Sequence, residues 1–121
     1  MANILTVDDS ASVRQAIKIA LLGKGHAVSE AVDGADGVSK VEAQSFDLIL
    51  TDLNMPNMNG LEMIRTLRKN PKHLGVPIIF LTTESDDSIR ADAKAAGATG
   101  WITKPFDPAQ LIRIVDKVLA K

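Results

Sequence analysis

Cysteine is absent from this 121-residue chain, aromatic residues make up only 3% of it, and neither sign of charge is in excess. Without cysteine there is no disulfide framework, no thiolate nucleophile and no sulfur-ligated metal, which suits a reducing compartment. So few aromatics leave little to sandwich a flat cofactor. The formal net charge is -1, so the bulk electrostatics ask for neither nucleic acid nor an anionic membrane as partner. Met1-Ala2-Asn3 lacks the basic stretch and apolar run of a secretory signal, and no apolar run approaches transmembrane length. A soluble, cytoplasmic protein is expected. Linkers, low-complexity tracts and repeats are also missing, and the length is that of one domain with a two-sided core, so residues 1–121 are read as a single domain.

What the chain does have is alternation. Short apolar runs at Ile4 to Val7, Leu48 to Leu50 and Ile78 to Leu81 read as strands, with weaker ones at Ala27 to Ala31 and Gly100 to Ile102. Between and after them, Val13, Ile17, Ala20 and Leu21 share one helical face, as do Met63, Ile64 and Leu67, and Leu111, Ile114, Val115, Val118 and Leu119. Gly34 to Gln44 and Asp86 to Ala96 complete the helices, the latter stopping at Gly97. The pattern is (βα) five times over. Strands apolar throughout, rather than alternating, are covered on both faces, which predicts an α/β fold with a parallel sheet between two helical layers.

In an open parallel sheet the loops after the strands' carboxyl ends share one edge, and ligands bind there. The polar residues predicted at that edge are Asp8 and Asp9 after the first strand, Asp52 after the third, Thr82 closing the fourth and Lys104 beyond the fifth. Each has an ordinary explanation taken singly. Asp8, Asp9 or Ser10 could cap the next helix, Thr82 could serve a turn, and a lone Lys is usually solvated. Independent caps, however, have no reason to gather opposite charges at one end of a sheet.

Three neighbouring carboxylates repel and call for a cation. An all-oxygen donor set without His or Cys selects a hard ion, and Mg²⁺ needs only one or two protein carboxylates, leaving room for phosphate oxygens. Carboxylate nucleophiles form aspartyl phosphates, and phosphoryl transfer depends mostly on positioning and charge neutralisation. Asp52 as nucleophile, Asp8 and Asp9 as metal holders, and Lys104 and Thr82 as phosphoryl ligands account for the whole cluster.

The segments Val7-Asp8-Asp9-Ser10, Thr51-Asp52-Leu53-Asn54-Met55-Pro56-Asn57-Met58-Asn59-Gly60, Leu81-Thr82-Thr83-Glu84 and Thr103-Lys104-Pro105-Phe106 resemble the receiver domain of two-component response regulators. Within that family the likeness is greatest to stand-alone chemotaxis regulators of the CheY type, and it runs the whole length with nothing left for an output domain. The resemblance implies a flavodoxin-like sheet of order 2-1-3-4-5, a cis Lys104-Pro105 bond, and a Mg²⁺ ligand set of Asp8, Asp9, Asp52 and the backbone carbonyl of Asn54. It implies a phosphoryl donor that is a CheA-like histidine kinase, an output partner such as a flagellar motor switch component, and, optionally, a phosphatase. The protein is then a monomeric switch that catalyses only its own phosphorylation and dephosphorylation, rather than an enzyme. A phosphorelay intermediate, or a regulator of an enzyme outside chemotaxis, is the alternative within the family.

The same resemblance makes Thr82 and Trp101 the switch pair: phosphorylation draws the Thr82 hydroxyl inward, and the fifth-strand aromatic follows, changing the face of the fourth helix, fifth strand and fifth helix. Most relatives carry Tyr or Phe where this chain has Trp101, and Thr83 stands where the family favours a very small residue. Asn54 and Glu84 flank the implied path of the hydrolytic water. The remaining features have plainer readings. Arg65, Arg68, Lys69, Lys72 and His73 read as a solvated helix end matched to its dipole; His26 and His73 are expected in loops, and Met55, Met58 and Met63 as gap fillers. Two other functions share the fold class. A flavodoxin-like electron carrier would meet repulsion between Asp8-Asp9 and the flavin phosphate, and a metal-dependent phosphatase would need a lid for which there is no insertion.

Overall fold

A computed structural model describes residues 2–83 and 86–120. Five strands and five helices alternate along it: β1 (Asn3–Val7), α1 (Ala11–Leu22), β2 (Ala27–Ala31), α2 (Gly34–Ala43), β3 (Leu48–Thr51), α3 (Gly60–Arg68), β4 (Ile78–Thr82), α4 (Asp87–Ala96), β5 (Gly100–Thr103) and α5 (Pro108–Leu119). All neighbouring strands pair in parallel, in the order β2-β1-β3-β4-β5. The expected strands are thus present, most of them one residue longer than their apolar runs. A 3₁₀ turn at Pro71–His73, which has no periodic signature, was not expected.

Because side chains alternate across a strand, the apolar runs supply two cores. Ile4, Leu48, Leu50, Ile79, Leu81 and Ile102 pack with Ile17 and Leu21 of α1 and Leu111 and Val115 of α5. Leu5, Val7, Ile49, Ile78 and Phe80 pack instead with Val41 of α2, Met63, Ile64 and Leu67 of α3, and Ala93 of α4. Burying one such side chain is worth about 1.5–3 kcal/mol, so a sheet covered on both faces needs no other staple. Met63 is fully buried, while Met55 and Met58 are half-buried against the same core, as gap fillers would be.

Each helix on the carboxyl side starts from a side-chain cap: Ser10 accepts from the Val13 N–H, Asp33 from Asp36, Asp86 from Ser88 and Asp107 from Ala109, while Asn59 and Glu62 form a reciprocal capping box. The cap of α1 is therefore Ser10, and neither Asp8 nor Asp9 is used for that purpose. At the far end of α4, Gly97 adopts φ 110°, the left-handed stop that its residue type allows.

Candidate functional site

The strand ladders run one residue past the strands and carry the polar residues with them. The Asp8 N–H donates to the Ala31 carbonyl at 3.1 Å, the Asp52 N–H to the Val7 carbonyl at 2.9 Å, and the Lys104 N–H to the Thr82 carbonyl at 2.8 Å. Three site residues are thereby locked in register with a neighbouring strand, and their side chains converge at the carboxyl edge. Carboxylate oxygens of Asp8, Asp9 and Asp52 lie within 4.8 Å of one another. The Lys104 ammonium reaches across from β5, donating to Asp8 Oδ2 at 2.8 Å and to Asp52 Oδ2 at 3.4 Å. The Lys104-Pro105 peptide bond is cis.

Burial grades the three acids. Asp8 is 2% exposed, Asp52 is half-buried and Asp9 faces solvent. Asp8 is held on all sides: Oδ1 accepts from the Ser10 N–H at 2.9 Å, Oδ2 from Lys104, and its backbone carbonyl from Arg14 Nη1 at 2.6 Å. Asp52 Oδ1 accepts from the Leu53 N–H at 2.7 Å, which leaves Oδ2 directed at the lysine. Burial alone would push the Lys104 ammonium down, but the hydrogen bond it donates to Asp8 and the charge of Asp52 outweigh it and hold the pKa above the usual lysine value. One ammonium cannot neutralise three carboxylates. The all-oxygen donor set at this spacing fits a hard divalent cation such as Mg²⁺.

A glycine shapes the loop that follows the acceptor. The Gly60 N–H donates to the Leu53 carbonyl at 2.8 Å, and a Cβ at Gly60 would run into the Asp52 carbonyl oxygen and the Phe80 ring. The turn therefore closes tightly under Asp52, and no larger residue fits without moving it. Its apex is at Asn57, with φ 67° and its amide donating to Asp33 Oδ2 at 2.7 Å.

The other predicted residues occupy the surroundings. Thr82 ends β4 fully buried, which removes its reading as a turn residue. Trp101 is half-buried on β5, 5.7 Å from the Phe80 ring centroid and tilted 46° to it, with the Arg90 guanidinium 5.5 Å from its own centroid. Asn54 is exposed in the loop after β3. Glu84 lies outside the described residues.

Two expectations need correction, both at the opposite end of the sheet. Arg68 is not part of a solvated basic end: its guanidinium donates to the carbonyls of His73 at 2.6 Å, Leu74 at 3.2 Å and Gly97 at 2.9 Å, joining α3, the 3₁₀ turn and the end of α4. Burial pushes its pKa down. His73 ends the 3₁₀ turn rather than sitting in an open loop, is buried, and stands 3.5 Å from Glu42. Arg65, Lys69 and Lys72 are exposed, as expected. The residue that sequence reasoning missed is Arg14, whose only signal was a basic residue on the partly buried face of a helix starting at the acidic pair.

The chain matches the response regulator receiver domain over residues 4–116. It is 35% identical to protein PilH of Pseudomonas aeruginosa over 120 residues, covering 99% of both chains. Among solved structures, the chemotaxis protein CheY4 of Vibrio cholerae superposes with a TM-score of 0.93 at 40% identity, with 98% of each chain covered. The receiver domain of sensor histidine kinase PA1611 from Pseudomonas aeruginosa, solved with a magnesium ion coordinated in its active site cleft, gives 0.92 at 31% identity over 99% of this chain and 98% of that one. With the fold, the acidic edge and the match over nearly the whole chain in agreement, the protein belongs to the response regulator receiver domain family.

Proposed function

We propose that this chain is a phosphorylation-activated switch in which Asp52 accepts a phosphoryl group from a histidine kinase of the CheA type. The observation that carries the reading is the juxtaposition of Asp8, Asp9 and Asp52 with the Lys104 ammonium at the carboxyl edge of the sheet. An Asp52 oxygen attacks the phosphorus of a phosphohistidine, the P–N bond breaks, and the imidazole leaves with the bonding pair and takes up a proton. Lys104 gives up a carboxylate contact to meet a phosphoryl oxygen, so charge is neutralised by a group already in place. Asp8, Asp9, Asp52 and the Asn54 carbonyl are the residues that would hold Mg²⁺, which supplies further neutralisation of the phosphoryl oxygens.

The Thr82 hydroxyl then hydrogen-bonds the new phosphoryl oxygens, and Trp101 rearranges with it, altering the surface of α4, β5 and α5 for an output partner. Asn54 is the residue placed to modulate the hydrolysis that reverses the reaction; Glu84, outside the described residues, is given the same role by the family resemblance alone. Chemotaxis is the proposed setting, with a motor switch component as target, a reading supported by the likeness to CheY4, a chemotaxis protein. The protein acts in the cytoplasm as a monomer and turns over no external substrate; none of its described helices is long and apolar enough to cross a membrane.

Acetyl phosphate with Mg²⁺ tests this directly, read as intact mass. A single phosphoryl adduct that disappears on chelation is the expected result. Steady release of phosphate from many phosphoesters would instead indicate a phosphatase, and a yellow protein binding flavin an electron carrier.

A further inference from the structure

Asp9 presents a geometric problem. Its carboxylate faces solvent and accepts none of the hydrogen bonds seen among the described residues, yet it must point at Asp8 and Asp52 for the cluster to hold an ion. Nothing attached to the side chain fixes that direction, so the backbone has to.

The Asp8–Asp9 peptide unit is planar, so anchoring its oxygen fixes where the Asp9 N and Cα lie and so restricts the directions open to the Asp9 side chain. That oxygen is the one held by Arg14 Nη1 at 2.6 Å. Arg14 is itself aimed from the neighbouring strand: its Nε donates to Glu30 Oε1 on β2 at 3.1 Å, and the guanidinium side chain is only 14% exposed. A second cation, Lys18, lies 3.5 Å from the other Glu30 oxygen but is 38% exposed. Ser10 pins the far side of the turn through Asp8 Oδ1. The planar fork of Arg14 can serve a carbonyl and a carboxylate at once, which a lysine ammonium at the end of a flexible stem cannot do with the same geometry.

We infer that Arg14, oriented by Glu30, is a positioning residue for the divalent cation: it sets the Asp8–Asp9 peptide so that Asp9 faces the ion. The inference rests on the reading of the acidic cluster as a Mg²⁺ site. Position and charge predict opposite signs here. As a mere cation behind an acidic cluster, Arg14 would weaken Mg²⁺ binding, and its removal would tighten it. As a positioning residue, its removal weakens binding, and outer partners of metal ligands are typically worth about 10–100-fold in affinity.

The test is Mg²⁺ affinity by calorimetry, with Mn²⁺ binding by electron paramagnetic resonance as a second readout, on wild type, Arg14→Ala, Arg14→Lys, Glu30→Gln, Lys18→Ala and Asp9→Ala. Thermal unfolding of the metal-free proteins accompanies it. Wild-type binding that is lost in Asp9→Ala establishes the site; no binding by wild type would sink the underlying reading, and the inference with it. Given a working site, Arg14→Ala should bind Mg²⁺ about tenfold more weakly. Arg14→Lys should recover less than half of that loss on a logarithmic scale, Glu30→Gln should be weakened, and Lys18→Ala should stay within about twofold of wild type. Tighter binding by Arg14→Ala, full recovery by Arg14→Lys, or a loss of thermal stability with affinity unchanged would each overturn the positioning role.

Discussion

At the carboxyl end of the sheet three carboxylates face a single ammonium, whereas at the amino end Arg68 is met by three carbonyls and His73 stands against Glu42. Both ends place charged groups out of full contact with water, which is costly unless partners compensate. For Arg68 the compensation is internal: its guanidinium joins three elements and satisfies carbonyls that helix and turn ends leave orphaned. At the carboxyl end it is incomplete: among the described residues three carboxylates gather there, and the Lys104 ammonium is shared between Asp8 and Asp52. The difference separates a joint from a binding site. Local conflict left unresolved by the chain's own groups is where a ligand has something to contribute.

The sharpest way to break that comparison is to remove the cation at each end. Lys104→Met leaves the buried Asp8 without its partner, and unfolding of the metal-free protein should cost about 3 kcal/mol less than in wild type. Millimolar Mg²⁺ should restore much of the loss, since an ion that binds only the folded chain stabilises it by mass action. Arg68→Ala should cost about 2 kcal/mol by stripping carbonyls of their donor, and Mg²⁺ should restore none of the difference from wild type. Denaturant titrations with and without Mg²⁺ measure both. Equal recovery of the two variants would erase the distinction between the ends.

A smaller effect sharpens it from within the sheet. Thr6 lies on β1 among residues of the α1 and α5 core, is 1% exposed, and its hydroxyl has no hydrogen-bond partner among the described residues. Unlike the acids two and three positions later, it serves no site that could use its polarity. Thr6→Val should therefore be neutral or stabilising by up to about 1 kcal/mol, with Mg²⁺ affinity unchanged. Destabilisation in the same titration would mean that the hydroxyl has a role the geometry does not reveal.

How much of this was legible beforehand follows from the range of each interaction. Ile4 to Val7, Leu48 to Leu50 and Ile78 to Leu81 announce buried strands through local composition, and the parallel architecture then puts Asp8, Asp9, Asp52, Thr82 and Lys104 at one edge. Strand order and the cis Lys104-Pro105 bond came with the family resemblance, not from periodicity. What stayed hidden depends on where long side chains reach. Arg14 and Arg68 look like solvated helix residues in a linear reading, because guanidinium-to-carbonyl bonds spanning 6 and 29 residues leave no pattern in the chain. His73 was misplaced for the same reason: its burial comes from elements distant in sequence. Gly60 stood in the Thr51-to-Gly60 segment without a role of its own, because the collision that a Cβ would make with Asp52 and Phe80 exists only in three dimensions.

The central claim is that Asp52, and no other carboxylate of the cluster, is the phosphoryl acceptor, because it is the half-buried acid with an oxygen turned to Lys104. Wild type and Asp52→Asn, matched for folding by circular dichroism, are incubated with acetyl phosphate and Mg²⁺ and weighed intact. One phosphoryl group on wild type and none on the variant is the predicted result. Phosphorylation of Asp52→Asn at the wild-type rate would contradict the account and move the acceptor elsewhere.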